Sequence, residues 1–207
     1  MGTSPAKENI LKRIRQALAT PVPIPFPQSE GNQPVFRTEQ DDPALVFARE
    51  FSALQGRFAY CTDQRDMSAQ VMALLQQQAW QKVYIRDAEL AAMFPGIEPY
   101  ADLASCDVSI TDCECLVART GSILMSAGQF SGRTSSVYAP VHICIAYSHQ
   151  IVPDIRDGLQ SIREKYGQQM PSLITLATGP SRTADIEKTL VTGVHGPGEV
   201  YCFLVEA

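Results

Sequence analysis

The chain has few charged residues and no long apolar run. Only 19% of its 207 residues are charged, and the formal net charge is −5 at pH 7. A nucleic-acid surface needs clustered Lys and Arg, so nucleic acid is not expected as a partner. No apolar run approaches the ~20 residues that span a bilayer, and the N-terminal segment lacks the uninterrupted apolar core of a secretory signal. We therefore expect a cytoplasmic protein that does not bind membranes.

Sequence patterns for metals and cofactors are also missing. The six cysteines form no CxxC pair and no run that could hold an iron–sulfur cluster, and only Cys113 and Cys115 are close in sequence. There is no HExxH motif, no Walker loop, no GxGxxG after a strand, and no GxSxG elbow at Ser181. We expect the cysteines to be buried thiols in a reducing compartment, and the chain to bind no metal and no cofactor.

Proline is concentrated in one segment near the N-terminus. Five prolines lie between Pro21 and Pro34, which predicts an extended linker over residues 21–40. Before it, Ile10, Ile14 and Leu18 have helical spacing, so residues 1–20 form a predicted helical arm. The arm could pack on a partner, pack on its own domain, or have no role. The remaining residues, 41–207, form the predicted main domain.

Helical and strand patterns alternate along the main domain. Helices are predicted from Asp42 to Gly56, over 67–78, over 87–94 and from Pro153. Strands are predicted at 57–61, 82–86, 122–126, 141–147, 173–178 and 199–206. Residues 107–111 and 114–119 are expected to be two strands, or a strand and a short turn. This alternation predicts an α/β fold with a parallel or mixed sheet covered by helices.

Unusual residues are most concentrated between 178 and 199. Gly179 and Pro180 turn the chain into a segment that we predict to be a helix ending at Gly193. Ser181 or Thr183 would cap that helix, and Asp185 would complement its positive end. Free N–H groups at a helix start, together with Arg182, could instead bind a carboxylate or phosphate. A capped helix without a ligand remains the alternative.

A second polar stretch precedes the apolar strand at 141–147. Thr120, Gly121 and Ser122 join two apolar segments, and a flexible loop from Gly128 to Ser136 carries Arg133. Loops at strand ends bind ligands in open α/β sheets, although a solvated hairpin loop fits the pattern equally well.

The three histidines differ in their surroundings. His142 enters an apolar strand, which indicates a hydrogen-bonded core histidine, and His149 lies in a polar turn. His195, followed by Gly196, lies in a loop expected near the ligand edge of the sheet. It is the best candidate for proton transfer or anion binding, although a role in orienting the backbone fits equally well.

Both polar stretches resemble the signatures of the LUD (lactate utilisation) family, and within it the group of lactate utilisation protein C. The first signature is matched by Thr120, Gly121, Ser122, Arg133, Pro140 and His142. The second, GPSRTADIE followed by GVHGP, is matched by residues 179–187 and 193–197. Arg119 stands where the family commonly carries Asp or Glu.

The resemblance implies a fold like that of ribose-5-phosphate isomerase, glucosamine-6-phosphate deaminase and the CoA transferases. It also implies a non-redox subunit of a three-protein L-lactate oxidation system whose other two members carry iron–sulfur clusters. Such a subunit would bind a small carboxylate or phosphate, or assist assembly. We expect Ser181, Arg182 and Thr183 to bind the anion, with Thr120, Gly121, Ser122 and His195 closing the same pocket.

Two other function classes remain open. The chain could be a stand-alone enzyme on the same scaffold, such as a sugar-phosphate isomerase, a CoA transferase or a cyclo-ligase. It could also be a ligand-sensing module without catalysis. A CoA transferase needs a nucleophilic Glu in a glycine-framed loop, and Glu114 lacks that frame.

Overall fold

The computed structural model describes residues 5–19, 41–186 and 189–206, and the chain divides into two compact units between Gln40 and Asp41. The described part of the first unit, residues 5–19, contains one helix, whose apolar residues Ile10 and Ile14 are exposed. The predicted linker over residues 21–40 lies outside the described residues. None of the described helices is long and apolar enough to cross a membrane.

Helices and strands alternate along the second unit. The helices are α1 (Pro5–Leu18) in the first unit and, in the second, α2 (Pro43–Ala53), α3 (Gln64–Gln77), α4 (Ala88–Ala92), α5 (Ser135–Tyr138) and α6 (Ile155–Tyr166). The strands are β1 (Arg57–Cys61), β2 (Val83–Tyr84), β3 (Val108–Thr111), β4 (Cys115–Val117), β5 (Ser122–Ser126), β6 (Val141–Tyr147), β7 (Ile151–Val152), β8 (Ile174–Ala177), β9 (Arg182–Ile186), β10 (Thr189–Thr192) and β11 (Glu199–Val205).

Aspartate side chains begin three of these helices. Asp42, Asp63 and Asp87 each accept a 2.8 Å hydrogen bond from the backbone N–H two residues further on. These bonds satisfy donors that the first turn of a helix leaves without an intrahelical partner. Pro43 also suits the first position of α2, because its missing N–H is not needed there.

The main sheet has five parallel strands in the order β1-β11-β6-β3-β2. Its central strand β6 is buried at six of its seven positions, as expected for a parallel strand covered on both faces. Helices α3 and α4 cover one face, where their side chains pack with Ile143, Ile145 and Phe203. The predicted α/β fold with a parallel sheet and covering helices is confirmed.

A second, mixed sheet covers the other face together with α2. Its order is β7-β4-β5-β8, and the core between the two sheets includes Phe47, Ile123, Cys144 and Leu204. On the outer side of this second sheet, Ile162 of α6 packs in a smaller apolar cluster. Four layers result: helices, the parallel sheet, the mixed sheet with α2, and α6.

The prediction of a helix after Pro180 is wrong, because this segment forms the antiparallel hairpin of β9 and β10. The two ends of the segment are joined, since Gly193 N donates to Ser181 O at 3.0 Å. A helix of that length would separate its ends by roughly 17 Å, which this bond forbids. Branched residues such as Thr183, Ile186 and Val191 also favour extended backbone.

The close approach of α2 to the turn before β5 leads to a stability prediction. Gly121 has φ +56°, and a Cβ there would lie 2.3 Å from Phe51 N. Left-handed strain and overpacking should together cost Gly121→Ala roughly 2–4 kcal/mol in the free energy of unfolding. Gly96→Ala is the matched control. Gly96 also has a positive φ, +94°, but a Cβ built there would meet no other side chain or backbone within 4 Å. Urea unfolding of both variants measures the difference, and equal losses would show that the contact is unimportant.

Candidate functional site

The two parts of the second signature meet at the base of the hairpin. Ser181 N donates to Pro197 O at 2.9 Å, and Gly193 N donates to Ser181 O. Gly198 N in turn donates to Pro140 O at 2.9 Å, which connects the loop before β11 to the turn before β6. The motifs GPS and GVHGP therefore form one structural unit, although 11 residues separate Ser181 and Gly193 in the sequence.

This unit forms part of the wall of a cavity of about 280 Å³ between the two sheets. Met125 and Thr175 of the mixed sheet line it, as do Val200 of the main sheet and Ser136 of α5. Four predicted site residues also line it: Gly179, Ser181, His195 and Gly196. A neighbouring cavity of about 460 Å³, lined by residues 137–140 and 193–196, shares His195 and Gly196 with the first.

Both cavities lie at the amino end of the parallel sheet. Pro140 and Gly198 immediately precede the first residues of β6 and β11, and the strands run away from this end. Ligands of open α/β sheets usually bind at the opposite, carboxyl edge. The exposed side chain of His195 therefore has solvent access at the amino end of these strands.

Of the first signature, Pro140 lines the larger cavity, whereas Thr120, Gly121 and Ser122 support the cavity wall without lining either cavity. The Ser122 hydroxyl is fully buried and lies 2.8 Å from Thr120 Oγ1 and 2.9 Å from Thr178 Oγ1. Thr178 directly precedes Gly179, so this bond fixes the start of the turn that forms the cavity wall. Gly121 packs on the backbone of α2. Thr120, Gly121 and Ser122 thus position the site without facing its cavity.

Two predicted anion-binding arginines make other contacts. The Arg133 guanidinium donates to Ser172 Oγ. The Arg182 guanidinium donates to Leu54 O, a carbonyl group at the C-terminal end of α2, where a cation is favourable. Neither arginine lines the two cavities. Because the predicted helix is absent, the macrodipole argument for an anion at Arg182 does not apply.

Two further predicted residues are described only by their backbone. Thr183 and Asp185 belong to β9, and Thr183 pairs with Val191 across the hairpin. Their side chains lie outside the described part of the structure. An Asp at position 185 cannot complement a helix terminus, because its backbone is extended.

His142 is a buried core histidine, as its position in an apolar strand predicts. Its Nε2 lies 2.8 Å from the Thr111 hydroxyl, which donates its single proton to Asp112 O at 2.9 Å. With the Thr111 proton directed to Asp112 O, Nε2 is the ring nitrogen that donates to the hydroxyl oxygen. Burial lowers the pKa of His142 to about 4, so the ring is neutral near pH 7.

Sequence spacing gave no sign of the hydrogen-bond network around Glu114. Its carboxylate accepts from Ser126 Oγ at 2.5 Å, Tyr166 OH at 2.7 Å and Lys165 Nζ at 2.8 Å. Burial by itself would raise the pKa of Glu114, but hydrogen bonds from Lys165, Ser126 and Tyr166 outweigh it and lower that pKa. Glu114 is thus an ionised carboxylate with satisfied acceptors, which fastens α6 to the mixed sheet.

The cysteines are six buried thiols, as the sequence predicts. Among the described residues, no group of three or more His, Cys, Asp or Glu side chains could hold a metal ion. Burial also raises the pKa of Cys61 to about 11 and that of Cys115 to about 12, so these thiols stay protonated.

Comparisons with known proteins agree with the sequence resemblance. Residues 65–205 match the model of the LUD domain family. The chain is 39% identical over 100 residues to lactate utilization protein C of Geobacillus sp. (strain WCH70), which covers 47% of this chain and 41% of that protein. It is 37% identical over 101 residues to lactate utilization protein C of Bacillus subtilis (strain 168), which covers 48% of this chain and 42% of that protein. The chain spans about half the length of the curated relatives it matches.

A solved structure supports the same fold. The crystal structure of a DUF162 family protein from Deinococcus radiodurans has a TM-score of 0.62 at 18% sequence identity. The superposition covers 82% of this chain and 99% of that chain. At this identity the likeness concerns the fold alone.

Arg119, which replaces the acidic residue common in the resembled family, pairs with Asp154 at the start of α6. Its Nε donates to Asp154 Oδ2, and its Nη2 donates to Asp154 Oδ1 at 3.1 Å. The ion pair lies away from the cavity residues, so the charge reversal beside Thr120 acts on the packing of α6. The Arg119 guanidinium lowers the pKa of Asp154 below its ordinary value of 3.8.

Arg119→Ala should therefore lower the free energy of unfolding by about 1 kcal/mol at pH 7, since the guanidinium is partly screened by solvent. A carboxyl whose pKa is lower in the folded state stabilises the fold above its unfolded pKa and loses that contribution as the pH falls through the folded pKa. The difference between wild type and variant should accordingly shrink below about pH 4. Arg156→Ala, at an exposed position of α6, is the control. An unfolding series that shows a pH-independent difference would contradict this account.

Proposed function

The chain belongs to the LUD domain family, and from that premise we propose that it serves L-lactate utilisation as a subunit without a redox centre of its own. In this proposal it works in the cytoplasm beside iron–sulfur proteins that carry the electrons. It binds a small carboxylate in the cavity formed by the GPS and GVHGP motifs. The relatives named lactate utilization protein C support the pathway, and the site geometry supports the ligand class.

One observation supports a small carboxylate as the ligand. No Asp or Glu is among the described residues that line either cavity, so none of these residues repels an anion there. Hydroxyl groups of Ser136 and Ser181 and the ring of His195 are available as hydrogen-bond donors. A volume of about 280 Å³ is at the small end of ligand pockets, which suits an organic acid of a few carbon atoms.

The same observation disfavours a sugar-phosphate isomerase or CoA transferase. Those reactions need a carboxylate as base or nucleophile next to the reacting carbon. Among the lining residues that the structure describes, His195 and Tyr138 are the titratable ones. Binding or presentation of the acid is therefore favoured over its chemical conversion by this chain.

An exposed aromatic side chain favours a protein partner near the cavities. Tyr138, which lines the larger cavity, is 67% exposed. Tyr is enriched in protein interfaces relative to the rest of the surface. The proposed partner therefore docks beside the ligand cavity.

Deletion of the gene should slow growth on L-lactate and leave growth on pyruvate unchanged. The reason is that the proposed subunit acts before pyruvate in the pathway. Growth curves on each carbon source, in a strain without a second lactate dehydrogenase, provide the measurement. Equal growth of mutant and parent on L-lactate would remove the proposed pathway role.

His195→Ala should weaken carboxylate binding at least about tenfold, because a hydrogen-bond donor to a charged group is lost. Titration of the purified chain with propionate, followed by the amide resonances of Ser181 and Gly196, measures the affinity. His149→Ala is the matched control, since His149 is also exposed and lies outside both cavities. If both variants bind propionate like the wild type, His195 does not contribute to binding.

A further inference from the structure

The hairpin of β9 and β10 has two outer edges, and the two edges differ. In the described part of the chain these strands pair only with each other and join neither of the larger sheets. An isolated pair of strands is marginally stable in water. Each outer edge of such a pair presents unpaired backbone N–H and C=O groups, which form a template for pairing with a further strand.

The β9 edge is protected against such pairing. Between its pairs with Val191 and Thr189, β9 advances by three residues whereas β10 advances by two. The extra residue makes a bulge in β9, and a bulge twists an edge away from an added strand. β9 also carries two charged residues, Arg182 and Asp185. The Arg182 guanidinium donates to Leu54 O, which fastens the start of β9 to the end of α2.

The β10 edge has none of these protections. Its sequence, TLVT over Thr189–Thr192, contains no charged residue and no proline, and β10 has no extra residue relative to β9. Lysine, proline and bulges are the usual means by which proteins keep an edge strand from pairing. Threonine and valine also favour extended backbone. The composition of β10 is therefore that of a strand that accepts a neighbour.

Backbone groups of Leu190 and Thr192 face this open edge. Gly193 N donates to Ser181 O across the hairpin at 3.0 Å, so the N–H of Gly193 points toward the β9 side. Residues of an antiparallel strand direct their backbone groups to the two sides in alternation. Val191 therefore also points toward β9, whereas Leu190 and Thr192 direct their N–H and C=O groups outward.

We propose that β10 pairs with β10 of a second copy of this chain, around a twofold axis at Val191. In this antiparallel register Leu190 of each copy lies opposite Thr192 of the other, and each such pair exchanges two backbone hydrogen bonds. All outward groups of Leu190 and Thr192 are then used. The strand is self-complementary, as a twofold interface requires, because no like charges are placed opposite each other.

The second copy also reaches the wall of the larger cavity. The same register places Thr189 of the second copy opposite Gly193, which lines that cavity. Val194, an apolar residue that is 44% exposed, lies beside this contact and adds apolar area to it. The inference does not depend on the proposed carboxylate ligand, because strand pairing is measured without any ligand.

A cysteine on the axis tests the pairing in the full chain. Val191 and its copy form a non-hydrogen-bonded pair, whose Cα atoms lie roughly 4.5 Å apart, within the range that a disulfide bridges. With oxidised glutathione, Val191→Cys should form a disulfide-linked dimer on non-reducing electrophoresis. The six native cysteines are buried and should not react. Ala184→Cys, on the protected β9 edge, is the matched control and should cross-link at least about tenfold more slowly, because no pairing holds its thiols together.

Substitutions at Leu190 should break the dimer. Leu190→Pro removes an outward N–H and keeps the bonds across the hairpin, because proline is tolerated where the N–H faces solvent. Leu190→Lys keeps the backbone and places a charge near the axis in each copy. In the Val191→Cys background, both should slow cross-linking to the rate of the Ala184→Cys control. Sedimentation of the unmodified chain should show a mean mass that rises with protein concentration, and Leu190→Lys should remove that rise.

Three results would overturn the inference. Val191→Cys could cross-link no faster than Ala184→Cys, which would leave the β10 edge to a strand of a different protein. Cross-linking could be fast but unchanged by Leu190→Lys, which would indicate a dimer through another surface. The mean mass could also stay that of one chain at every concentration. If Leu190→Pro fails to fold, Leu190→Lys decides between these results, because it leaves every backbone donor in place.

Discussion

The last turn of α2 is the constraint on which the rest of the structure depends. Gly121 packs on the backbone of Phe51, and a Cβ on Gly179 would lie 2.6 Å from Leu54 O. The Arg182 guanidinium donates to the same Leu54 O. Residues from both motifs that carry the family resemblance therefore meet on one helical turn. The pairing of β5 with β8 holds the turn at Ser122 beside the turn at Gly179, and this shared contact fixes both turns on α2.

This packing explains why several motif residues do not face a ligand. Arg182 satisfies a carbonyl group at the end of α2, and the Ser122 hydroxyl bonds to Thr178 in the neighbouring strand. Such side chains position the cavity wall, and among the described side chains of the second motif only Ser181 and His195 present polar groups to the cavity. A residue that belongs to a family motif can thus be required for the shape of a site without contacting what binds there.

The hairpin in place of a helix also changes the chemistry of the candidate site. A helix N-terminus would have supplied roughly half a positive charge and a set of free N–H groups. The hairpin supplies neither, because its backbone groups pair across β9 and β10. The proposed anion recognition at the amino end therefore relies on hydroxyl groups and on His195, with no carboxylate among the described lining residues.

The amino-acid sequence by itself determined the elements whose signals are local. Aspartates before helices, the apolar run at 141–147 and the alternation of patterns were sufficient to predict the α/β class and most strands. The motif residues Ser181 and His195 were also identifiable, since their neighbours match the family signature. Only the tertiary structure decided the hairpin, the partner of Arg182 and the location of His195 at the amino end. Arg182 and Leu54 are 128 positions apart, and no local pattern encodes a contact over that separation. The hydrogen bond from Tyr166 OH to Glu114 likewise joins residues that are 52 positions apart.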